Sequence, residues 1–213
     1  MRIIIITQDE PFYLAENLSY FINSLSKDVE IVGVVLSKPS PFGKKESFIR
    51  KSIKTLRIFG FKFFIYYSIK YLISFFNSSK NVKLSLKKLK VPIIQLRKSI
   101  NNPDSILKIK AFKPDLFVSI LGNEIFKKEI ISLSKHGILN LHSSLLPKYR
   151  GLMPCFWVLK NDEKYTGVSV FLVDKGIDSG PILVREKISI GNMKHSELIK
   201  YTKRIGMIAV KKA

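Results

Sequence analysis

The hydrophobic pattern divides the N-terminal part of the chain into a strand, a helix and a second strand. Residues 2–7 (RIIIIT) are dominated by β-branched side chains, which is typical of a parallel strand buried on both faces. Apolar residues then recur at helical spacing across 12–25, and 29–37 (VEIVGVVLS) is a second apolar run. This order and spacing predict a βαβ unit and therefore a parallel sheet.

The same pattern continues downstream, where short apolar runs bounded by glycine, proline and polar residues are joined by helical segments. We therefore expect an α/β fold with a Rossmann-like open, mostly parallel sheet flanked by helices. The dinucleotide fingerprint G-x-G-x-x-G does not follow the first strand, where the sequence reads TQDEP. The later predicted strands are 91–96, 116–121, 137–142, 166–173 and 182–190, and the later predicted helices are 105–112, 124–133, 154–159 and 192–210.

An unusual segment, about residues 41–90, interrupts this pattern after the second strand. Residues 59–76 (FGFKFFIYYSIKYLISFF) are almost continuously apolar, but they contain Lys62 and Lys70 and are slightly short for a membrane span. We expect a basic, aromatic helical insertion here. Three interpretations stay open: helices packed on the domain or on a second subunit, an amphipathic element at a membrane surface, and a nucleic-acid-binding element.

The charge of the chain is concentrated in this part of the sequence. The 213 residues carry a formal net charge of +21, and residues 41–100 contain fifteen Lys and Arg against a single acid, Glu46. That stretch alone therefore supplies +14 of the total. A local excess of this size favours a polyanionic partner, either RNA or an anionic membrane surface.

Length and cysteine content set the remaining limits. With 213 residues we expect one domain over 1–213, and residues 1–2 lead directly into the first strand without a signal peptide. The single cysteine, Cys155, permits no internal disulfide, which fits a reducing cytoplasm, and we expect it to be a buried small hydrophobe. No Cys/His cluster has the spacing of metal ligands, so no metal is expected. His195 begins the last predicted helix and is interpreted as a capping or surface residue.

The candidate chemistry lies between residues 137 and 181. Asn140 and His142 are two residues apart at the end of a predicted strand, and a period of two places both side chains on one face. A carboxamide beside an imidazole is able to stabilise an oxyanion and to move a proton. Asp178 lies between Gly176 and Gly180 in a predicted tight loop, and is a candidate partner for His142.

These motifs together resemble the catalytic core of the folate-dependent formyltransferases, a family that includes methionyl-tRNA formyltransferase, glycinamide ribonucleotide transformylase and the sugar N-formyltransferases. The resemblance is carried by Asn140-Leu141-His142, the following Ser-Leu-Leu-Pro, Arg150-Gly151 and a D-x-G-x-D-x-G loop at 174–180. It covers residues 114–190, and Asn140 precedes Asp178 by 38 residues, as in the family's Asn/His/Asp triad. Arg150-Gly151 is more similar to the tRNA and sugar branches. Family members often carry a Gly-containing turn where this chain has TQDEP.

The resemblance implies a metal-free transfer of a formyl group from N10-formyltetrahydrofolate to a primary amine. It implies that Asn140, His142 and Asp178 are catalytic. Ser144 and Arg150 are assigned to acceptor binding, although Ser144 is also expected to shape its turn and Arg150 either to bind an acceptor phosphate or to anchor its loop. The residues implied in folate binding are Leu121, Gly122, Val173, Asp174, Gly176 and Ile177.

The acceptor stays open at this point. An amino sugar, linked to a nucleotide or to a lipid, is favoured because the sequence contains no C-terminal β-barrel domain of the kind that methionyl-tRNA formyltransferase uses to grip tRNA. Methionyl-tRNA is the first alternative, since the insertion occupies the position of that enzyme's basic loop. Hydrolysis of 10-formyltetrahydrofolate is the second. A cytoplasmic location, possible contact with the inner membrane face and possible homo-oligomerisation complete the expectations.

Overall fold

The computed structural model describes residues 1–39, 47–74, 80–122 and 124–213. Parts of the predicted insertion, at 41–46 and 75–79, and Asn123 lie outside the described residues. Within these ranges the chain forms one seven-stranded sheet in the order β3-β2-β1-β4-β5-β6-β7. The strands are β1 Arg2–Gln8, β2 Glu30–Ser37, β3 Ile93–Ile94, β4 Leu116–Ile120, β5 Ile138–His142, β6 Tyr165–Leu172 and β7 Ile182–Ser189.

The sheet is mostly parallel, as the sequence predicts. Strands β1 to β5 pair in parallel, whereas β6 runs antiparallel to β5 and β7 antiparallel to β6. The antiparallel pair follows directly from the short connection between β6 and β7, because a parallel crossover needs a dozen or more residues. The helices are α1 Leu14–Ser24, α2 Phe48–Phe59, α3 Phe61–Ser74, α4 Val82–Lys88, α5 Pro103–Lys110, α6 Lys128–Ile131, α7 Pro154–Lys160 and α8 His195–Lys212.

The core lies on both faces of the sheet, and β1 shows why. Ile3 and Ile5 belong to the cluster packed with helices α1, α4 and α8, whereas Ile4 and Ile6 belong to the cluster packed with α5 and α6. Successive strand residues point to opposite faces, so an uninterrupted apolar run is needed where helices cover both sides. The observed α/β architecture confirms the predicted Rossmann-like fold.

Two predicted elements are shorter than expected. The third strand is reduced to Ile93–Ile94, since it pairs only with β2 at the sheet edge and Pro92 has no amide proton to donate. The helix predicted over 124–133 exists only as Lys128–Ile131. Glu124 is drawn away from it because its carboxylate accepts hydrogen bonds from the Ser99 hydroxyl and from the amide of Ile100.

The insertion forms two consecutive helices, α2 and α3, separated by Gly60. Gly60 has φ +82° and ψ 169°, a conformation essentially restricted to glycine, which explains the break between two helices. On one side, α3 packs against the domain through Phe63 and Tyr67, which stack at 5.5 Å. Phe63 contacts Phe156 of α7 at 5.7 Å between ring centroids. The predicted helical insertion is therefore present, and part of it packs on the domain.

His195 differs from the sequence interpretation. Instead of forming a cap or lying on the surface, its ring packs edge-to-face on Phe63 at 5.5 Å, and its Nε2 atom is buried without a hydrogen-bond partner among the described residues. Burial, together with the positive charge of Lys70, lowers the pKa of His195 to about 4. The ring is therefore neutral at physiological pH and acts as an aromatic packing group. Across the described residues no helix combines the length and apolarity needed to cross a bilayer.

Candidate active site

The site is built at the C-terminal end of β5, which lies between parallel β4 and antiparallel β6. Asn140 pairs with Ser119 on one side and Phe171 on the other, and His142 pairs with Ser169 of β6. In open α/β sheets ligands bind outside the carboxyl ends of the parallel strands, so this position suits a reaction centre. Asn140 is half-buried, and its carboxamide forms no hydrogen bond with another described residue.

His142 is fixed from both sides of its ring. Its Nε2 atom lies 2.8 Å from the carbonyl oxygen of Tyr149, and its Nδ1 atom lies 3.5 Å from Oδ2 of Asp178. A carbonyl oxygen only accepts, so Nε2 carries a proton in this arrangement. Because a carboxylate faces the other nitrogen, the doubly protonated imidazolium satisfies both contacts. The pairing of His142 with Asp178 that the sequence suggested is thus present in the structure.

Asp178 is held in place by the segment that follows the Ser-Leu-Leu-Pro turn. The backbone amide of Gly151 donates to Oδ2 of Asp178 at 2.9 Å, the same oxygen that faces His142. Gly151 has φ +85°, a conformation that L side chains rarely adopt. The glycine of the Arg150-Gly151 motif therefore lets the chain turn so that its amide meets the carboxylate, a role that sequence analysis did not assign.

The loop that carries Asp178 is closed at its base by backbone contacts. The amide of Leu172 donates to the carbonyl oxygen of Pro181 at 3.0 Å. At Gly180 an added Cβ would lie 1.8 Å from the Leu172 carbonyl oxygen, so only glycine fits there. Within the loop, the carboxylate of Asp174 accepts from the Ser179 hydroxyl and the Gly176 amide, at 2.8 and 2.9 Å, and these hydrogen bonds lower the pKa of Asp174.

The predicted folate-binding residues lie on two segments, 121–122 directly after β4 and 173–177 in the loop that carries Asp178. Leu121 follows β4 with φ +60°, and its carbonyl oxygen accepts from Nε2 of Gln8 at 2.9 Å. Gly122 packs against Ser119, whose hydroxyl an added Cβ would approach to 2.4 Å. Leu121 and Val173 are half-buried and Ile177 is exposed, so each keeps some apolar surface open to contact. Leu121 packs on the cluster with α1, α4 and α8, whereas Val173 packs on the cluster with α5 and α6.

Ser144 requires a correction, because it is fully buried and has no surface with which to contact an acceptor. Its hydroxyl donates to the carbonyl oxygen of Lys148 at 2.7 Å and lies 3.3 Å from that of Tyr149. The residue therefore shapes the turn that places the Tyr149 carbonyl against His142. Ser169 adds to this turn, since its hydroxyl donates to the carbonyl of Ser144 and accepts from the amide of Leu146.

Arg150 lies on the surface beside the site. It forms no hydrogen bond or salt bridge with another residue in the described ranges, although its charge contributes to lowering the pKa of Asp174. An exposed guanidinium in this position is available for an anionic group, since it presents five donors in a fixed fork. Of the two roles considered for Arg150, the contacts give no support to that of a loop anchor.

The turn after β1 shows how the TQDEP sequence changes its surroundings. The carboxylate of Glu10 accepts hydrogen bonds from the amides of Phe12 and Tyr13, at 2.8 and 3.1 Å. The Lys203 ammonium lies 3.9 Å from the same carboxylate, and burial lowers the pKa of this lysine. The free amides at the start of α1 would otherwise attract an anion. Here the chain's own carboxylate occupies them, a feature that sequence reasoning missed.

A cavity of about 370 Å³ lies beside the Ser-Leu-Leu-Pro turn that follows β5. Its walls come from the turn after β5, from β7 and from the start of β6. Its lining includes none of the Asn140, His142 and Asp178 side chains.

Cys155 is buried as predicted, and burial raises the pKa of its thiol, so it is poorly suited to act as a nucleophile. Among the described residues no group of three or more His, Cys, Asp and Glu is arranged to hold a metal ion.

The fold and this site together define an α/β protein with an Asn/His/Asp arrangement at the end of its fifth strand. The chain belongs to the formyl transferase family, whose profile, described as "Formyl transferase", matches residues 1–206. Methionyl-tRNA formyltransferase from Thermodesulfovibrio yellowstonii is 41% identical over 109 residues, which cover 51% of this chain and 35% of that protein. The enzyme of the same name from Kosmotoga olearia is 38% identical over 111 residues, which cover 52% and 35%.

The solved structures agree on the fold. Phosphoribosylglycinamide formyltransferase from Bacillus halodurans superposes with a TM-score of 0.69 at 18% identity, covering 99% of this chain and 92% of that one. At this identity the likeness concerns the fold alone. The matched region spans about a third of the length of the curated relatives.

Proposed function

We propose that this protein transfers a formyl group from N10-formyltetrahydrofolate to a primary amine. The observation that carries the proposal is the His142–Asp178 pair beside Asn140 at the carboxyl end of β5, in a member of the formyl transferase family. We assign the contacts with the flat ring system of the folate co-substrate to Leu121, Val173 and Ile177, the apolar residues that follow β4 and β6. The folate contacts assigned to Gly122, Asp174 and Gly176 belong to the same proposal.

The reaction needs one bond to form, one to break and one proton to move. The amine nitrogen attacks the formyl carbon, and the carbonyl oxygen becomes an oxyanion, to which the Asn140 carboxamide donates a hydrogen bond. The bond from carbon to N10 then breaks, and N10 takes up a proton equivalent to the one that the amine loses. Asp178 orients the ring of His142 through its contact with Nδ1. Stabilisation by one such donor is worth about 2.7–4 kcal/mol in the transition state.

His142 must exchange one partner before it contacts substrate. Its Nε2 atom is occupied by the Tyr149 carbonyl and its Nδ1 atom faces Asp178. We infer that the substrate oxygen or a bound water replaces the Tyr149 carbonyl at Nε2, since the Asp178 side is fixed by Gly151. Tightening of catalytic hydrogen bonds on substrate binding is common in enzymes.

The acceptor that we propose first is an amino sugar linked to a nucleotide or a lipid. Arg150 supports this assignment, because its exposed guanidinium lies beside the site and suits the phosphates of such a carrier. Methionyl-tRNA is the second candidate, and the names of the curated relatives favour it. The net charge of +21 is compatible with tRNA binding as well.

The test measures tetrahydrofolate release from 10-formyltetrahydrofolate by the purified protein. Three reactions are compared: no acceptor, charged methionyl-tRNA, and a panel of nucleotide-linked and lipid-linked amino sugars. Turnover that depends on a sugar amine supports the first assignment, and turnover that depends on tRNA supports the second. Release without any acceptor identifies a hydrolase. A protein that neither binds folate nor turns it over would contradict the proposed activity.

A further inference from the structure

Exposed apolar side chains are concentrated on α2 and α3. Of the 23 large hydrophobic residues that are exposed in the described structure, twelve lie on these two helices. Exposed apolar residues scattered singly are normal, whereas a contiguous group marks an interaction surface. The twelve are Phe48, Ile49, Ile53, Leu56, Ile58, Phe61, Ile65, Tyr66, Ile69, Tyr71, Leu72 and Ile73, and we call them the α2–α3 surface.

Helix α2 carries an apolar and a basic stripe side by side. Ile49, Ile53 and Leu56 follow one another at helical spacing, and all three are exposed. Arg50, Lys54 and Arg57 repeat the same spacing one residue later, which places the basic stripe about 100° around the helix. None of the residues of α2 is buried. Apolar residues on one face and Lys or Arg on the other are typical of helices that lie in a membrane interface.

Helix α3 has two faces of opposite character. Its inner face, with Phe63 and Tyr67, packs on Phe12 and Phe156 with ring centroids 5.2–5.7 Å apart. Lys70 also points inward, where its ammonium contacts the Tyr13 hydroxyl, and burial lowers its pKa to about 8.

The outer face of α3 is an apolar stripe at helical spacing. Its residues are Phe61, Ile65, Ile69 and Leu72, with exposures from 41% to 69%. The domain thus anchors α3 by its inner face and leaves a row of large apolar side chains in water.

The positive charge around these helices indicates which kind of partner fits them. The sequence from 47 to 90 contains eleven Lys and Arg and no Asp or Glu. A second copy of this chain would bring the same positive charge against it. RNA would neutralise the charge but would leave the aliphatic stripes of both helices in water. An anionic bilayer suits both the positive charge and the apolar stripes. Lipid phosphates bind the basic side chains, and the membrane interface buries the apolar ones.

We propose that the α2–α3 surface docks the protein on membranes that contain anionic phospholipid. The apolar stripes insert to the boundary between headgroups and acyl chains, and the basic stripe contacts the phosphates. Interfacial helices of this kind reach about 5–10 Å into the bilayer and do not cross it. The proposal does not depend on the formyl transfer reaction.

The experiment uses flotation of the full chain with vesicles of phosphatidylcholine alone or mixed with phosphatidylglycerol. We expect binding to the anionic vesicles, weak binding to the neutral ones, and partial loss with added salt. The double variant Ile69→Glu/Leu72→Glu should lower anionic vesicle binding by roughly tenfold or more, since it places two carboxylates in the apolar stripe. Leu107→Glu on α5, where the side chain is 67% exposed, is the control and should bind as the wild type does.

A second comparison distinguishes binding through the α2–α3 surface from binding that depends only on the net charge of the protein. Arg50→Glu/Arg57→Glu and Arg97→Glu/Lys135→Glu change the net charge equally, but only the first pair lies on α2. We expect about a tenfold or greater loss of binding for the first pair and little change for the second. Equal losses for both pairs would overturn the proposal, because binding would then follow net charge alone.

Two other outcomes would also overturn it. If no vesicle binds and light scattering shows a dimer that Ile69→Glu/Leu72→Glu converts to a monomer, a second copy covers the surface. If no vesicle binds and tRNA binding is lost in Arg50→Glu/Arg57→Glu but kept in Ile69→Glu/Leu72→Glu, the partner is RNA. Circular dichroism verifies that each variant is folded. Formyl transfer to a soluble amine, measured in parallel, distinguishes failure of this proposal from failure of the proposed function.

Discussion

The end of β5 and the inserted helices α2 and α3 differ in which side chains they bury: polar groups are buried at the first, and large apolar groups are exposed on the second. Around β5 the polar side chains of His142, Ser144 and Asp178 are largely buried, and each has a specific partner. On α2 and α3 large apolar side chains are exposed, some by more than 60%. The first arrangement holds groups in fixed geometry, as catalysis requires. The second arrangement leaves a contiguous apolar surface exposed to water, which is typical of a surface that binds a partner.

We infer from this difference that the two regions serve separate functions. Glycines with positive φ lie in both: Gly151 beside Asp178, and Gly60 between α2 and α3. The candidate active site presents polar groups in fixed directions, which suits a small substrate. The α2–α3 surface presents apolar area and positive charge, which suits a larger partner. Variants in one region should therefore leave the function of the other unchanged, and the following predictions test that separation.

Loss of the central polar side chains should have the largest effect. His142→Ala should lower kcat by about 10²–10⁴-fold, as expected for a positioned proton-transfer group, and Asn140→Ala by about 10²–10³-fold. Tetrahydrofolate release reports the rate, and circular dichroism reports the fold. Vesicle binding should stay at the wild-type level in both variants. A folded His142→Ala protein with wild-type turnover would contradict the proposed catalytic role.

The two glycines offer a matched pair of backbone changes. Gly151 and Gly60 have φ of +85° and +82°, and an added Cβ meets no atom within 4 Å at either position. Alanine therefore introduces conformational strain of about 1–3 kcal/mol at each site without a steric clash. Gly151→Ala should lower kcat by roughly tenfold, because its amide positions Asp178.

Gly60→Ala serves as the reciprocal measurement. It should weaken vesicle binding, since it displaces α2 relative to α3, while formyl transfer to a soluble amine stays at the wild-type rate. Both assays are run on both variants. If Gly60→Ala impairs transfer as strongly as Gly151→Ala does, the two regions are coupled and the separation is wrong.

Arg150→Gln should change acceptor binding more than the chemical step. Because Arg150 is exposed and makes no ion pair within the described residues, its removal should leave the melting temperature unchanged. The KM for a phosphate-bearing acceptor should rise by roughly tenfold, as expected for loss of a charged hydrogen bond, while kcat changes little. Lys148→Gln in the same turn is the control. An unchanged KM would leave Arg150 without a role in acceptor binding.

The smallest effect concerns pH and the packing of α3. Burial lowers the pKa of His195 to about 4, below its ordinary value of 6.5, so the folded protein binds fewer protons here than the unfolded chain does. The stability that comes from this neutral ring is complete above about pH 6.5 and is lost as the pH falls toward about 4. The single tryptophan, Trp157, contacts Phe156 at 5.1 Å and reports this packing by fluorescence.

His195→Phe should remove this pH dependence. Between pH 7 and pH 5 the wild type should lose roughly 2–5 °C more in melting temperature than the variant does. His136→Gln, at an exposed position, should keep the wild-type slope. Identical slopes for the wild type and for His195→Phe would show that this ring does not control the packing of α3 over that range.

Local chemistry made much of the fold predictable. The apolar run in β1 and the helical spacing of the following segment indicated a parallel sheet. Local chemistry also caps α5, since the Asn102 side chain accepts a hydrogen bond from the Asp104 amide at 3.1 Å. The predicted ranges of β3 and α6, 91–96 and 124–133, were longer than the observed elements. Their lengths depend on which strand pairs at the sheet edge and on where Glu124 finds its partner, and neither is encoded in the local pattern.

The class of fold, the helical nature of the insertion and the pairing of His142 with Asp178 could all be predicted from the amino-acid sequence. Strand periodicity and a recognisable spacing of residues are properties of short stretches, so they can be read along the chain. The contacts of Tyr149 with His142 and of Gly151 with Asp178, and the burial of Ser144, became visible only in the folded structure.

The tertiary structure also decided the surroundings of α3. It buries His195 against Phe63, residues 132 positions apart in sequence, and leaves Ile69 and Leu72 exposed. Apolar composition shows that a helix has surface to bury, but which face is covered depends on the neighbours that the fold brings to it. Long-range packing, which no local pattern specifies, therefore separates the anchored face of the insertion from the face that is free to meet a partner.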